Sequence, residues 1–148
     1  MFSSMYAAYN GLSEPIKTLI GDLQTWHEPV PVHRGRFGHK GRLRDGSDAY
    51  PEALHPIVRN HPVTRRKTIF VNENFTTKIE GLKKSESDAI LKMLFDHIAV
   101  PEFHCRFLWQ EKSVAFWDNR CVQNRTVWDD YPKIRHGYRV TIAGDRPF

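Results

Sequence analysis

Residues 103–122, FHCRFLWQEKSVAFWDNRCV, alternate aromatic or β-branched side chains with polar ones and are broken by two short polar groups, QEK and WDN. A period of two with turn residues at the breaks is the pattern of antiparallel strands. It predicts strands over Phe103–Trp109, Ser113–Trp117 and Arg120–Val122, and a further one over Tyr138–Ala143 before the GD pair at Gly144 and Asp145.

Upstream the period changes. Ile90, Leu91, Leu94, Phe95 and Ile98 recur at helical spacing behind SESD, which reads as a capping box with Asp88 in place of the usual Glu or Gln, so a helix is expected from Ser85 to Ile98. Ile57–Arg59 and Thr68–Asn72 read as strands joined through the turn-forming stretch HPVTRRK. Near the start, Phe2, Met5, Tyr6 and Tyr9 have helical spacing. Ser13, Glu14 and Pro15 form an N-cap with an acid and a proline in the first turn, ahead of Ile16, Leu19, Ile20 and Leu23. From about 29 to 51 the pattern gives way to prolines, glycines and basic residues, predicting a long surface loop. The expected whole is mainly β with flanking helices.

At 148 residues the chain allows one domain rather than two independent cores. Its 40% apolar content excludes wholesale disorder, and no run approaches the roughly 18 apolar residues of a membrane-spanning helix. The first residues, MFSSMYAAYNGL, lack the basic start and apolar centre of a signal peptide, so the expected location is cytoplasmic. Cys105 and Cys121 occur without CxxC spacing, which leaves neither a disulfide framework nor a cysteine-built zinc site. The formal charge of +5 is concentrated in Arg34, Arg36, Lys40, Arg42 and Arg44, in a segment without acids. Basic glycine-rich loops are common on proteins that bind no nucleic acid, so this loop alone does not make the chain a nucleic-acid binder.

Common catalytic patterns are absent. The eight histidines form no HxH or HExxH, there is no GxSxG, and no phosphate loop GxxxxGK[ST] occurs.

Six segments, however, match one family in order: MYAAYNGLSEP (5–15), HPIVRNHPVTRRKTIFVNENFTTKIEGL (55–82), PEFHCRFLW (101–109), WDNRCVQN (117–124), WDDYP (128–132) and RHGYRVTIAGDRPF (135–148). They resemble the C-terminal portion of the taurine/2,4-dichlorophenoxyacetate dioxygenases, oxygenases that use Fe(II) and 2-oxoglutarate in the catabolism of taurine and other sulfonates. The resemblance implies a double-stranded β-helix, or jelly roll, with iron held by two histidines and a carboxylate. In the family the HxD pair and a GGDT block precede the segment resembling MYAAYNGLSEP. Neither occurs in residues 1–148, so the expected jelly roll is incomplete at the N-terminus.

The resemblance also assigns roles by position. The remaining iron ligand is the residue seven after the Trp of WDNR, and Asn124 stands there. Arg135 matches the arginine that pairs with the 2-oxoglutarate carboxylate, Arg139 the arginine that holds a small anionic substrate, and Phe75 an aromatic beside that substrate. A planar, permanently charged guanidinium suits both anions. Trp117–Arg120 read as a structural turn. The implied function is hydroxylation of a sulfonate-type anion, with no catalytic or metal-ligating residue left in this chain and neither Fe(II) nor 2-oxoglutarate bound productively. The alternative is a truncated or degenerate non-catalytic jelly roll that keeps at most an anion pocket. Strands lacking partners are expected to expose apolar edges and to drive self-association.

Overall fold

The structure is a computed structural model and describes residues 1–28, 52–127, 129, 132 and 136–148. The basic segment 29–51 and Arg135 lie outside the described residues.

The described residues form three small antiparallel sheets carried on three helices. In chain order the elements are β1 (Phe2–Ser4), α1 (Met5–Asn10), α2 (Glu14–Ile20), β2 (Gln24–His27), β3 (Ala53–Pro56), β4 (Val58–Asn60), β5 (Lys67–Ile69), β6 (Thr76–Ile79), α3 (Lys84–Ile98), β7 (His104–Cys105) and β8 (Val122–Asn124). A 3-10 turn, Pro101–Phe103, leads into β7. The sheets run β7-β1-β8, β3-β2-β6 and β4-β5.

Local chemistry explains most of these elements. Ser4 caps α1 by accepting the Ala7 N–H at 3.3 Å, and the helix buries Met5 and Ala8. In α3, Ser87, Leu91, Leu94 and Ile98 fall on one stripe at helical spacing and are buried. They meet Ile20, Ile57, Ile69, Val71 and Ile79 in a single core. The Ser87 hydroxyl, itself buried, accepts the Ile79 N–H at 2.8 Å and so joins α3 to β6.

The helix start differs from the sequence reading. Lys83 is the N-cap of α3, and Glu86 closes the turn by accepting the Lys83 N–H at 3.1 Å, because Glu86 sits three residues after the cap and Asp88 does not. β5 stops at Ile69 rather than reaching Asn72, since Phe70 donates its N–H to Ile57 at 2.7 Å and Asn72 opens a turn. Strands β2 and β6, too short and polar to stand out as alternating runs, pair with each other and complete a sheet that sequence reading missed.

The larger corrections fall in the C-terminal third. Of Phe103–Trp109 only His104 and Cys105 enter a ladder, against β1, and Ser113–Trp117 enters none among the described residues. The strand placed at Arg120–Val122 begins two residues later, because Cys121 donates to the Asp118 carbonyl at 3.2 Å and keeps Arg120 in a turn. Tyr138–Ala143 is not helical, yet it pairs with no described strand. A period-two pattern supplies one side of a ladder, and a neighbouring strand must supply the other. Without one, Val114, Phe116, Tyr138, Val140 and Ile142 stay exposed. No described helix is long and apolar enough to cross a membrane.

The Ser87 bridge makes a test. Replacing Ser87 by Ala strips a buried N–H of its acceptor and should cost about 1–3 kcal/mol in urea unfolding, whereas Ser85→Ala should stay within about 0.5 kcal/mol. Equal losses would show that the N-cap reading of SESD was right after all.

Candidate functional site

Strand β8 is held edge-on to β1, with Asn124 opposite Phe2 and Gln123 opposite Ser3. Gln123 spends its carboxamide inward: Nε2 donates to the Val71 carbonyl at 2.5 Å and approaches Met5 Sδ at 3.2 Å, while Oε1 accepts from Asn72 Nδ2 at 3.1 Å. Asn72 organises the turn before β6. Its Oδ1 accepts the Asn74 N–H at 2.9 Å, its carbonyl accepts from Phe75 at 3.0 Å and Thr76 at 2.8 Å, and its N–H donates to Thr76 Oγ1 at 2.9 Å. The Asn72–Gln123 bond thus fixes the turn carrying Phe75 against the strand carrying Asn124.

Between these two pieces lies a cavity of about 1060 Å³. Phe70, Val71, Phe75 and Val122 give it an apolar side, and Asn74, Asn119, Asn124, Arg120, Arg125 and Arg139 a polar one. Three of the four residues singled out from the sequence, Phe75, Asn124 and Arg139, line this one cavity. Arg135 lies outside the described residues. His27, Asn72, Gln123 and Arg125 were not singled out. Asn72 had a signal in the turn-forming VNEN, and Gln123 had only its place beside Asn124.

The described wall includes three arginines and no carboxylate. Arg120 is spent on Asp118, through Nε at 2.9 Å and a terminal nitrogen at 2.7 Å. Arg125 and Arg139 make no ion pair with a described residue. His27 is the one imidazole of the described wall. Its Nε2 lies 3.2 Å from both Thr25 Oγ1 and Thr76 Oγ1, and its ring stacks on Phe70 at 5.6 Å. An Fe(II) site of this kind needs two imidazoles and a carboxylate. The described residues of the cavity do not supply that set.

Behind the cavity the WDNR residues form an ionic knot. Asp118 accepts from Arg120 through both side chain and backbone N–H, and from His61 Nε2 at 3.1 Å, which holds its carboxyl well below the usual carboxylate range. The same pairing raises the already high Arg120 pKa. Asp145 joins from the C-terminal segment, 2.6 Å from Arg59 and 3.6 Å from Arg120. Trp117 Nε1 donates to Asn119 Oδ1 at 2.8 Å, and its ring packs on Phe2 at 5.0 Å. This is the structural role read from the sequence.

His61, Asp118 and Cys121 place ligand-type atoms within 4.8 Å of one another. They do not make a metal site. His61 Nδ1 accepts the Thr64 N–H at 3.1 Å and the Val63 N–H at 3.3 Å, so the ring proton sits on Nε2 and donates to Asp118, leaving Nε2 no lone pair. Burial also pushes the Cys121 thiol up, away from the thiolate a metal prefers.

His27 gives a pH test. Burial, helped by the neighbouring His55, lowers its pKa from 6.5 to about 4. The unfolded chain therefore takes up the proton first, so stability is complete above about pH 6.5 and falls as pH drops through the window to about 4. After discounting for the ring's partial exposure, the loss should be on the order of 2 kcal/mol. Urea melts at pH 7 and pH 4.5 should show it, and His27→Gln should flatten it. A variant that keeps the full slope would assign the effect elsewhere.

With this geometry in view, the likeness to known proteins is specific. Residues 1–141 match the profile of the family described as "Taurine catabolism dioxygenase TauD, TfdA family". A Schizosaccharomyces pombe protein, grouped by its name with the alpha-ketoglutarate-dependent sulfonate dioxygenases, is 41% identical over 152 residues, covering 100% of this chain and 37% of that protein. The crystal structure of a taurine dioxygenase from Burkholderia xenovorans superposes with a TM-score of 0.66 at 32% identity, over 82% of this chain and 38% of its own. That of AAD-2 in complex with Mn(II) and N-oxalylglycine gives 0.66 at 30% identity, over 82% and 47%. The chain thus spans about two fifths of the length of the proteins it matches. On the extent of the profile match and the identity to these relatives, the chain belongs to the TauD/TfdA dioxygenase family.

Proposed function

We propose that residues 1–148 are the C-terminal portion of a TauD/TfdA-type double-stranded β-helix, and that their cavity receives a small sulfonate-type anion. Arg139 holds the anionic group, Phe75 packs beside the substrate body, and Arg135 takes a carboxylate of 2-oxoglutarate. The observation that carries this reading is one cavity with Phe75 on its wall, Arg139 and Arg125 in no ion pair with a described residue, and no carboxylate among its described lining. Charge-assisted bonds from guanidinium to sulfonate or carboxylate are the strong ones available to such a wall.

The reaction implied by the family is hydroxylation of that anion with Fe(II) and 2-oxoglutarate. Asn124 and a described wall without carboxylates favour a second reading of this chain alone, as an anion-binding jelly-roll portion without turnover. A neutral carboxamide is a poor replacement for an imidazole ligand. The unladdered segments 106–117 and 138–143, with their exposed aromatic and branched side chains, support self-association in isolation.

Titration by calorimetry with ethanesulfonate and with 2-oxoglutarate should give dissociation constants near 1 mM, roughly 4 kcal/mol. Arg139→Ala should weaken ethanesulfonate at least tenfold, about 1.4 kcal/mol, and unchanged binding in that variant would remove Arg139 from the site. Supplied with Fe(II) and dioxygen, the chain should form no succinate from 2-oxoglutarate. Succinate above a protein-free control would overturn the non-catalytic reading. Light scattering over a concentration series should show mass growing beyond the monomer, and a constant 17.3 kDa would count against self-association.

A further inference from the structure

We infer that the cavity is a metal-independent oxyanion site in which the Asn124 carboxamide has passed from the family's metal-ligating position to the anion itself, donating beside Arg125 and Arg139. The inference rests on the anion-binding reading above and deepens it. The disagreement between family and residues is its starting point: the position that should hold an imidazole holds an amide, and the described wall of this cavity has no carboxylate and one imidazole, while Glu73 and His104 share with Asn124 the lining of a second pocket.

Of the carboxamides on this wall, Gln123 and Asn72 are consumed by each other and by backbone, Asn119 gives only its Oδ1 to Trp117, and the Asn74 side chain makes no hydrogen bond with a described residue, so Asn124 is distinguished among them by its place at the family's ligand position. The Asn124 side chain makes no hydrogen bond with a described residue, so none of these engages its two N–H donors. β8 holds its backbone in register with Phe2 on β1, and the Met1 amine bonds the Arg125 carbonyl at 2.9 Å while Arg125 donates its N–H to the Met1 carbonyl at 2.9 Å. On one lining, a neutral amide and two guanidinium groups that pair with no described carboxylate attract an oxyanion. The same two positive charges repel a divalent cation, and no carboxylate among the described lining of this cavity offsets them. Phe70, Val71 and Phe75 offer the opposite side to an apolar body. The ligand class is therefore a small organic oxyanion, sulfonate or carboxylate, carried on an apolar body.

The test is amide NMR of the whole chain in Tris chloride, titrated separately with ethanesulfonate and 2-oxoglutarate, once with EDTA and once with Mn(II). Equal affinities within twofold in the two conditions, with no Mn(II) line broadening at residues 122–126, are expected. Asn124→Leu should weaken the preferred anion at least fivefold. Asn124→Asp should weaken it at least tenfold and bring in Mn(II) broadening. Because Asn124 is exposed, both variants should keep the parent's amide spectrum elsewhere. Anion binding that requires Mn(II), or Mn(II) broadening at 122–126 in the parent, would overturn the inference. If Arg139→Ala loses the anion while Asn124→Leu keeps it, the anion site stands and the role of Asn124 falls. If neither anion binds the parent in either condition, the anion-binding reading falls with it.

Discussion

A buried guanidinium must find a carboxylate, and Arg59, 3% exposed in the middle of β4, finds Asp145 near the far end of the chain. That demand organises the C-terminal half. Asp145 also approaches Arg120, Arg120 grips Asp118, and Asp118 accepts the Nε2–H hydrogen bond of His61, whose other ring nitrogen accepts the backbone N–H groups of the β4–β5 connection. Three pieces of chain far apart in sequence are thereby held at fixed separations. Each member is charged or polar and would be costly to bury alone, so the set holds together only when complete. Phe148 adds a backbone bond to Asn60 at 3.0 Å, which tethers the last residues beside β4.

The knot sets the position of β8, and β8 sets the cavity. The Asp118 turn releases the chain at Cys121, so Val122, Gln123 and Asn124 enter the ladder with β1. Hydrogen bonding along β8 then decides the division of labour: Gln123 holds Asn72 and Val71, and the Asn124 carboxamide at the cavity makes no hydrogen bond with a described residue. The turn that presents Phe75 is rigid because a single residue, Asn72, satisfies four of its hydrogen bonds. A scaffold of neutral amides leaves the charge of the cavity to its arginines. This is the physical basis for reading it as a receptor for anions.

Much of this was legible beforehand from short-range chemistry. The stripe of Leu91, Leu94 and Ile98, the Ser13–Pro15 helix start and the WDNR turn depend on residues within a few positions of one another, and each formed where local spacing placed it. The family membership was legible too, from WDNR, the paired arginines of RHGYR and the FVNENFTTKI segment, and the family profile matches residues 1–141. The placement of Phe75, Asn124 and Arg139 on one cavity followed from that order.

What tertiary structure alone decided are the pairings. Strands in 103–122 and 138–143 were read from alternation, but a ladder exists only where a neighbour offers N–H and C=O groups at the right distance, and among the described residues that happened at His104–Cys105 and Val122–Asn124. The short polar strands β2 and β6 show the converse: with little alternation of their own, they became strands because each found the other. The same holds for charge. Sequence placed Arg120 in a structural turn, gave Arg139 to an anion and did not single out Arg125; folding brought Asp118 and Asp145 to the first and no described carboxylate to the other two. Local propensity is a property of residues close in the chain, whereas pairing and neutralisation depend on which distant residues folding brings within about 3 Å.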